Sequence, residues 1–231
     1  MDLDGTDFAQ ASDRERSRPA ASLLGARGSS SSPTVRWIGD ALLRDDEAPM
    51  DESTEGVTLL SGFVFDVLAE FEDMRRLCAP AFELAEHLDP EQPEAPCSMQ
   101  LYNDVCTWIE KEVGDASIRR AGNAIGARAF ARIIEAGRIG DDRSPLAMMT
   151  ALKWAAETMI QDPKKRGWEI LEHTDTSLRM RRTQTFNCVL QEGLLLTLVE
   201  RSEVLMPSVD HLRCTRRGDE FCEYEIRWLR R

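Results

Sequence analysis

Three residues near the end of the chain, His211, Cys214 and Cys222, have side chains that bind transition metals. Cys188 precedes them, and the four together form the pattern C-x22-H-x2-C-x7-C. Three thiolates and one imidazole are a common tetrahedral ligand set for zinc. Because this set leaves no coordination position for water, the pattern predicts a structural Zn²⁺ ion and not a catalytic one.

The two later cysteines lie in a predicted β-hairpin whose turn is centred on Gly218. Its strands are the alternating runs 209–215 and 221–229. This centring places Cys214 opposite Cys222, and directly opposed residues share a face, with Cβ atoms roughly 4.5–5.5 Å apart. The alternation of the second strand predicts three further side chains on the same, buried face: Tyr224, Ile226 and Trp228.

His211 and Cys188 need particular local structures to reach this hairpin. His211 stands three residues before Cys214, an odd spacing that puts it on the opposite face of a regular strand. It therefore requires either a loop over 207–211 or a β-bulge. Cys188 follows Asn187, a predicted N-cap, and the first turn of a helix favours the thiolate form that binds metal.

The formal charge of such a site is near −1, from three thiolates and one divalent ion. Three arginines that are close in sequence are expected to offset it: Arg213, Arg216 and Arg217. The residue types alone leave a metal-free alternative equally open. In that alternative Cys188 is a small buried side chain and His211 a surface residue. Cys214 and Cys222 would then form a cross-strand disulfide under oxidising conditions.

The elements that must position these residues are mainly helices. Apolar residues at three- and four-residue intervals predict helices over 57–88 (with a break at Pro80), 98–114, 116–137 and 145–161. Short alternating runs on either side of 174–176 predict a first hairpin, and a helix from Cys188 to about Ser202 separates it from the closing hairpin. The order predicts an α+β fold, with helices packed on a small antiparallel sheet.

The start of the chain differs in composition from the rest. Residues 1–55 contain a serine run and an acidic run with few apolar positions, which predicts a disordered acidic tail. Within it, 35–43 has the pattern of a short amphipathic helix. Residues 56–96 are predicted to form an N-terminal helical segment, and residues 97–231 the main domain.

The overall composition narrows the class of protein. The net charge is −12, and no basic cluster is large enough to offset it, so direct nucleic-acid binding is not expected. No secretory signal is visible, and the longest apolar runs are too short to span a bilayer. A cytoplasmic location is therefore expected, in which six cysteines act as thiols or metal ligands.

The run from Cys188 to Trp228 resembles the 4-vinyl reductase-like domain. It is most similar to the sensor domains of aromatic-responsive (phenol and xylene) bacterial transcription activators. The cysteine spacings and the closing run RRGDEFCEYEIRW carry this resemblance, and IRRAGNAIGARAFARIIEAG and RGWEILEH extend it back to about Leu101. Those domains bind zinc through three cysteines and one acidic residue. The resemblance therefore implies a zinc site in which His211 stands where the family has a carboxylate.

The resemblance also implies a fold and a ligand. The fold is the α+β arrangement of vinyl reductase-like domains, vesicle-tethering-complex subunits and heme nitric-oxide-binding domains, with a pocket between helices and sheet. In the phenol-type sensors a histidine and a tryptophan hold an aromatic molecule. Trp168 matches the tryptophan but the histidine has no counterpart, which favours an apolar or aromatic small molecule without that contact, or no ligand. The expected pocket residues, which could equally fill the core, are Phe130, Ile134, Trp154, Met159 and Trp168.

No catalytic residues are predicted. The sequence contains no G-x-S-x-G, H-E-x-x-H or P-loop motif. The leading hypothesis is a stand-alone small-molecule-sensing or regulatory domain, not an enzyme, that signals through its own homodimer or an unidentified downstream protein. A protein-interaction scaffold without a ligand, like the vesicle-tethering subunits, is the alternative. An enzyme that acts on a tetrapyrrole or lipid is the least favoured hypothesis.

Overall fold

The computed structural model describes residues 53–230, which form an α+β fold. The six α-helices of this part are α1 (Gly62–Leu68), α2 (Ala79–Leu84), α3 (Met99–Val113), α4 (Asp115–Glu135), α5 (Pro145–Met159) and α6 (Cys188–Glu200). Its strands are β1 (Thr58–Leu60), β2 (Pro96–Ser98), β3 (Ile160–Gln161), β4 (Trp168–His173), β5 (Ser177–Arg182), β6 (Val204–Arg213) and β7 (Cys222–Arg230). The predicted α+β class is confirmed. Nearly all of the predicted tail, including 35–43, lies outside the described residues.

The strands form two antiparallel sheets. The larger sheet has the order β4-β5-β7-β6, and the pairing of β5 with β7 joins the two predicted hairpins. The smaller sheet has the order β2-β1-β3. It was not predicted, because strands of two or three residues show too little alternation to be recognised in a sequence.

The segment 56–96 contains strands as well as helices. A helix was predicted from Val57, but Thr58–Leu60 form β1, which pairs with both β2 and β3. The predicted break near Pro80 is present, since α2 begins at Ala79 and Pro80 lies in its first turn. There its missing N–H removes no intrahelical hydrogen bond. The segment therefore shares a sheet with residues 160–161.

The ends of the longer helices follow their sequence signals. The side chain of Ser144 accepts a hydrogen bond from the Ala147 N–H at 3.2 Å at the start of α5. At the start of α6, the side chain of Asn187 accepts one from the Leu190 N–H at 2.9 Å. Gly137 follows α4 with φ +64°, a left-handed conformation that favours glycine.

Helices α4 and α6 cross with their backbones in close contact. A Cβ atom added at Gly122 would lie 2.0 Å from the carbonyl oxygen of Leu190, and one added at Gly193 would lie 2.2 Å from that of Arg119. Only glycine permits this approach. The contact fixes the position of α6, a helix of 13 residues that is buried along most of its length. Within residues 53–230, no helix combines the length and apolar character needed to cross a membrane.

Candidate metal centre

The structure brings together the four candidate ligands predicted from the sequence. One donor atom from each of Cys188, His211, Cys214 and Cys222 lies within 4.8 Å of every other. The three cysteines are buried and His211 is half-buried. Cys188 is the first residue of α6 and Cys222 the first residue of β7, so the site joins the helix to the closing hairpin.

His211 reaches the site through a β-bulge. Strand β6 is continuous through Arg213, but its register against β7 shifts between His211, which pairs with Tyr224, and Arg213, which pairs with Glu223. The shift turns His211 onto the buried face of β7, the face that carries Cys222. The alternative of a loop over 207–211 is wrong.

A tight turn holds Cys214 in place. Thr215–Arg217 form a 3-10 helix, and Gly218 ends it in a left-handed conformation with φ +91°. The backbone N–H of Cys214 donates to the Asp219 carboxylate at 2.7 Å, and the Asp219 N–H donates to the Cys214 carbonyl at 3.2 Å. These contacts close the hairpin that carries Cys214 and Cys222 into the candidate site.

The sulfur separations suit a tetrahedral metal ion. The Sγ atoms of Cys188 and Cys222 are 3.3 Å apart, and those of Cys188 and Cys214 are 3.7 Å apart. A tetrahedral zinc ion with Zn–S bonds of about 2.3 Å separates its sulfur ligands by about 3.8 Å. The six cysteines of the chain carry free thiols. The geometry therefore fits a metal with small adjustments of the side chains.

The imidazole of His211 is held with one nitrogen towards the thiols. Its Nδ1 lies 3.1 Å from Glu192 Oε1, and Arg119 Nη2 in turn lies 2.8 Å from Glu192 Oε2. Its Nε2 is buried and has no hydrogen-bond partner among residues 53–230. A carboxylate on one ring nitrogen fixes the tautomer that offers the other nitrogen to a metal. Nε2 of His211 is thus the imidazole atom available to a metal ion.

Arg182 supplies the positive charge next to the sulfur atoms, and sequence reasoning missed it. Its side chain is buried, and Nη2 lies 3.2 Å from Cys222 Sγ and 3.4 Å from Cys188 Sγ. Burial alone would lower the pKa of this guanidinium, but Tyr224 and the two cysteines raise it above its usual value. The sequence feature that indicated Arg182 was the alternation of β5, which places it on the buried face after Leu178 and Met180. A charged residue there needs a charged partner.

The three arginines named from the sequence have other partners. Arg216 forms an ion pair with Glu110, in which both N–O distances are 2.6 Å. Arg217 donates to the backbone carbonyl of His211 at 3.0 Å. Arg213 lies over the ring of Phe221 at 5.3 Å. These residues support the hairpin, and the charge in direct contact with sulfur comes from Arg182.

Without a metal, the thiols share a proton unequally. The hydrogen bond from Cys188 lowers the pKa of Cys222; burial opposes this, and the neighbouring His211 and Arg182 lower the pKa further. The same hydrogen bond, together with burial, raises the pKa of Cys188. The lowered pKa of Cys222 favours its thiolate, the form that binds metal.

An apolar cavity of about 240 Å³ lies between helices α4 and α5, strand β4 and the start of α6. Three of the five predicted pocket residues line it: Trp154, Met159 and Trp168. The other two do not. Phe130 lies instead near the guanidinium groups of Arg143 and Arg201, and Ile134 packs against the core. The remaining walls include Phe63, Tyr102, Ala129, Phe186 and Gln191.

Aromatic rings connect this cavity to the metal centre. Trp168 lines the cavity, and its ring centroid is 5.8 Å from that of Tyr224. The Tyr224 ring is stacked on the His211 ring at 4.4 Å. The cavity wall and one metal ligand are therefore separated by a single tyrosine.

Comparison with known proteins shows the fold of this chain but not its family. The sequence matches no protein-family model and none of the curated proteins. Among solved structures, an H-NOX protein from S. oneidensis in its Fe(II)NO ligation state is similar, with 14% identity over 73% of this chain and 99% of that chain, and a TM-score of 0.52. A mutant H-NOX domain from Shewanella oneidensis in the Fe(II)CO state aligns with 15% identity over 73% of this chain and 98% of that chain, with a TM-score of 0.51. The described part of this chain therefore shares the α+β fold of H-NOX domains, and its resemblance to the 4-vinyl reductase-like domain stays a prediction.

Proposed function

We propose that this protein is a non-catalytic, small-molecule-sensing domain with a structural zinc ion. Cys188, His211, Cys214 and Cys222 hold the ion, and the apolar cavity takes the signal molecule. The protein reports binding through its own homodimer or a second protein. The observation that carries the proposal is the ring contact through Tyr224, which links an apolar cavity to a complete set of metal donors.

The donor set favours zinc over other biological metals. Thiolate and imidazole are soft or borderline donors, which excludes calcium and magnesium sites built from oxygen. Four protein donors leave no open position, so the ion serves folding and not catalysis. Its binding free energy stabilises the junction of α6 with the closing hairpin.

The cavity does not fit heme, the group suggested by the heme nitric-oxide-binding relatives of the fold. Among residues 53–230, its walls contain no histidine or cysteine to bind iron. Burial raises the pKa of Tyr102, the phenol that the described residues contribute to the wall, well above its usual value, which favours the neutral phenol over the phenolate that binds iron. The volume of 240 Å³ is also small for a macrocycle. We therefore assign no role to iron.

The size and chemistry of the cavity favour a small apolar or aromatic molecule. An apolar cavity of about 150 Å³ is large enough to bind benzene, and this one is larger. Its walls are mainly aromatic and aliphatic, and the guanidinium of Arg132 is paired with Asp66 at 3.1 Å. One substituted aromatic ring is the ligand that this cavity fits best.

The test combines metal analysis with ligand titration. Protein purified without chelator should contain one zinc ion per chain by elemental mass spectrometry. Small aromatic molecules should then change the fluorescence of Trp154 and Trp168 in a saturable way. Ala129→Phe fills the cavity and should abolish this change, whereas Ala131→Phe, exposed on the same helix, should keep it. Absence of metal, or equal responses of both variants, would refute the proposal.

An interaction scaffold without a ligand is the second candidate, and an exposed apolar patch favours it. Leu205 and Leu229 are paired across β6 and β7 and are 46% and 54% exposed, and Met206 beside them is 78% exposed. Such a patch is typical of a protein contact. The scaffold predicts no saturable ligand response and loss of oligomer or partner binding in Leu229→Ser. Retained ligand binding in that variant would favour the sensor.

A further inference from the structure

Gln191 is a buried polar residue in the wall of the apolar cavity. It lies near the start of α6 and is only 4% exposed. The wall around it consists mainly of aromatic and aliphatic side chains, among them Phe186 and Trp168. A carboxamide in such surroundings is costly unless it forms hydrogen bonds. A hydrogen-bond partner for Gln191 is therefore expected.

The described part of the chain does not supply this partner. Within residues 53–230, the backbone N–H of Gln191 donates to the Asn187 carbonyl at 3.2 Å, but its side chain takes part in no hydrogen bond. Neither polar atom of the side chain is among the unpaired atoms that the protein encloses completely. Both atoms therefore keep accessible surface, although the residue as a whole is almost fully buried.

The turn of α6 directs Gln191 towards the cavity. The backbone of Leu190 lies against α4, and Glu192 contacts the imidazole of the candidate metal centre on another face of the helix. Successive residues of an α-helix are about 100° apart, so Gln191 points between these two faces. Leu194, three residues later on the same side of α6, also lines the cavity. The free space beside the carboxamide of Gln191 is thus the cavity itself.

Two other wall residues with polar groups have neighbours of their own. The guanidinium of Arg132 is paired with Asp66 at 3.1 Å. Burial, and after it the neighbouring Cys106 thiol, raises the pKa of Tyr102, which favours the neutral phenol. An ionised ligand would lose its hydration in this cavity without gaining a partner of opposite charge. The unpaired carboxamide therefore favours a ligand with a neutral polar group.

We propose that Gln191 determines the specificity of the cavity and that the ligand is an apolar molecule with one neutral hydroxyl group, such as an aromatic alcohol. The hydroxyl group forms a hydrogen bond with the carboxamide, which can accept through Oε1 and donate through Nε2. Apolar pockets use a few placed polar groups in this way to orient their ligands. The inference rests on the proposed sensing function and narrows its ligand to a molecule with one polar end.

The experiment compares benzyl alcohol with ethylbenzene, which have nearly equal shapes and differ in one hydroxyl group. Tryptophan fluorescence of the full chain follows the binding of each. Gln191→Met keeps the size of the side chain and removes the carboxamide. This variant should bind benzyl alcohol about tenfold more weakly than the wild type, through the loss of one hydrogen bond. It should bind ethylbenzene at least as tightly, which also shows that its cavity is intact.

The matched control is Gln184→Met. Gln184 is a glutamine of similar burial, 5% exposed, that does not line the cavity. The ratio of the two dissociation constants should therefore be the same in this variant as in the wild type.

The possible contrary results have different meanings. An unchanged ratio in Gln191→Met would reject the role of Gln191 and leave a purely apolar binding site. Loss of both ligands in that variant would show a structural role instead, and an equal change of the ratio in Gln184→Met would show an effect that does not come from the cavity. If the wild type gives no saturable response to either molecule, the sensing function itself is rejected together with this inference.

Discussion

The imidazole of His211 lies almost parallel to the phenol ring of Tyr224, with 4.4 Å between the centroids and 12° between the planes. Tyr224 also contacts Trp168 in the wall of the apolar cavity. We therefore expect a molecule that shifts Trp168 to displace the ring that stacks on His211, one of the four candidate metal ligands. This arrangement predicts that a change in the cavity is transmitted to the candidate metal centre through Tyr224.

The ring contacts of Tyr224 with Trp168 and His211 predict that ligand binding in the cavity changes the rate of zinc release. An aromatic ligand should slow the release of zinc to a chelator in the wild-type protein and in Tyr224→Phe, which keeps the ring. In Tyr224→Leu the ligand should still bind but no longer change the release rate, because the stacked ring is lost. A contact between two aromatic rings contributes about 0.5–1.5 kcal/mol of stability beyond the effect of burying their surface. The measurement is chelator competition followed in a stopped-flow instrument, and an equal ligand effect in all three proteins would contradict the coupling.

Replacement of a metal ligand should destabilise the domain strongly. Cys222→Ser should lose zinc and lower the free energy of unfolding by several kcal/mol, since metal binding contributes directly to folding. Cys106→Ala is the matched control, because Cys106 is fully buried but lies outside the ligand set. It should retain one zinc ion and lose only about 1–2 kcal/mol. Denaturant unfolding, with the zinc content measured on the same samples, tests this prediction. If Cys222→Ser were as stable as the wild type, a structural metal would be excluded.

The carboxylate behind His211 should control metal affinity. Glu192→Gln cannot hold the Nδ1–H of His211 with a charged partner, and loss of such a partner typically weakens metal binding 10–100-fold. Glu200→Gln, at an exposed position on the same helix, should bind zinc as the wild type does. Competition with a chromogenic chelator measures both affinities. Equal affinities would show that Glu192 has no positioning role.

The crossing of α4 and α6 should not tolerate a single methyl group. Gly122→Ala places Cβ 2.0 Å from the Leu190 carbonyl oxygen, so the helices must separate. We expect the free energy of unfolding to fall by about 3 kcal/mol or more. Gly140→Ala has no atom within 4 Å of the new Cβ and should change stability by less than about 1 kcal/mol. Comparable unfolding curves for the two variants would show that the helices can move apart freely.

The ion pair of Glu110 with Arg216 should make stability depend on pH. Burial would raise the pKa of Glu110, but hydrogen bonds from Arg216 and Asn187 lower it below its ordinary value of 4.5. A lowered folded-state pKa gives stability that is present above the ordinary value and is lost as the pH falls through the lowered one. Glu110→Gln should therefore cost about 1–2 kcal/mol at pH 7 and little in acid.

The control for this pH dependence is Glu112→Gln, two residues further along α3, where the carboxylate is 49% exposed. Its unfolding free energy should match that of the wild type at every pH. Thermal or urea unfolding between pH 3 and 7 measures the difference. A Glu110→Gln effect that does not shrink in acid would mean that the ion pair is not its source.

The sequence predicted the identity of the four ligands but only part of their geometry. The facing of Cys214 and Cys222 followed from counting residues around Gly218. The position of His211 did not, because its spacing allowed either a loop or a bulge. The choice between them depends on the pairing with Tyr224, a contact made across the sheet.

The two misplaced pocket residues show a limit of helical patterns. The cavity-facing positions of α4 include Ile125, Ala129 and Ile133, whereas Phe130 and Ile134 each stand one residue later. One residue is about 100° around a helix, enough to turn a side chain away from the cavity. The packing of the neighbouring helices decides which apolar residues of α4 face the cavity. The apolar pattern of the helix alone does not determine it.

The glycine contacts between α4 and α6 restrict how these two helices can move against each other. Two backbones in direct contact cannot slide past each other by the small steps through which packed helices usually shear. The two helices therefore form a rigid pair, which includes the end of α6 that carries the candidate ligand Cys188. Helix α5 lines the cavity with side chains that include Trp154 and Met159, and we expect this wall to be the one that moves. A signal molecule should thus move α5 outward against a stationary base, and a partner that reads the signal should touch α5.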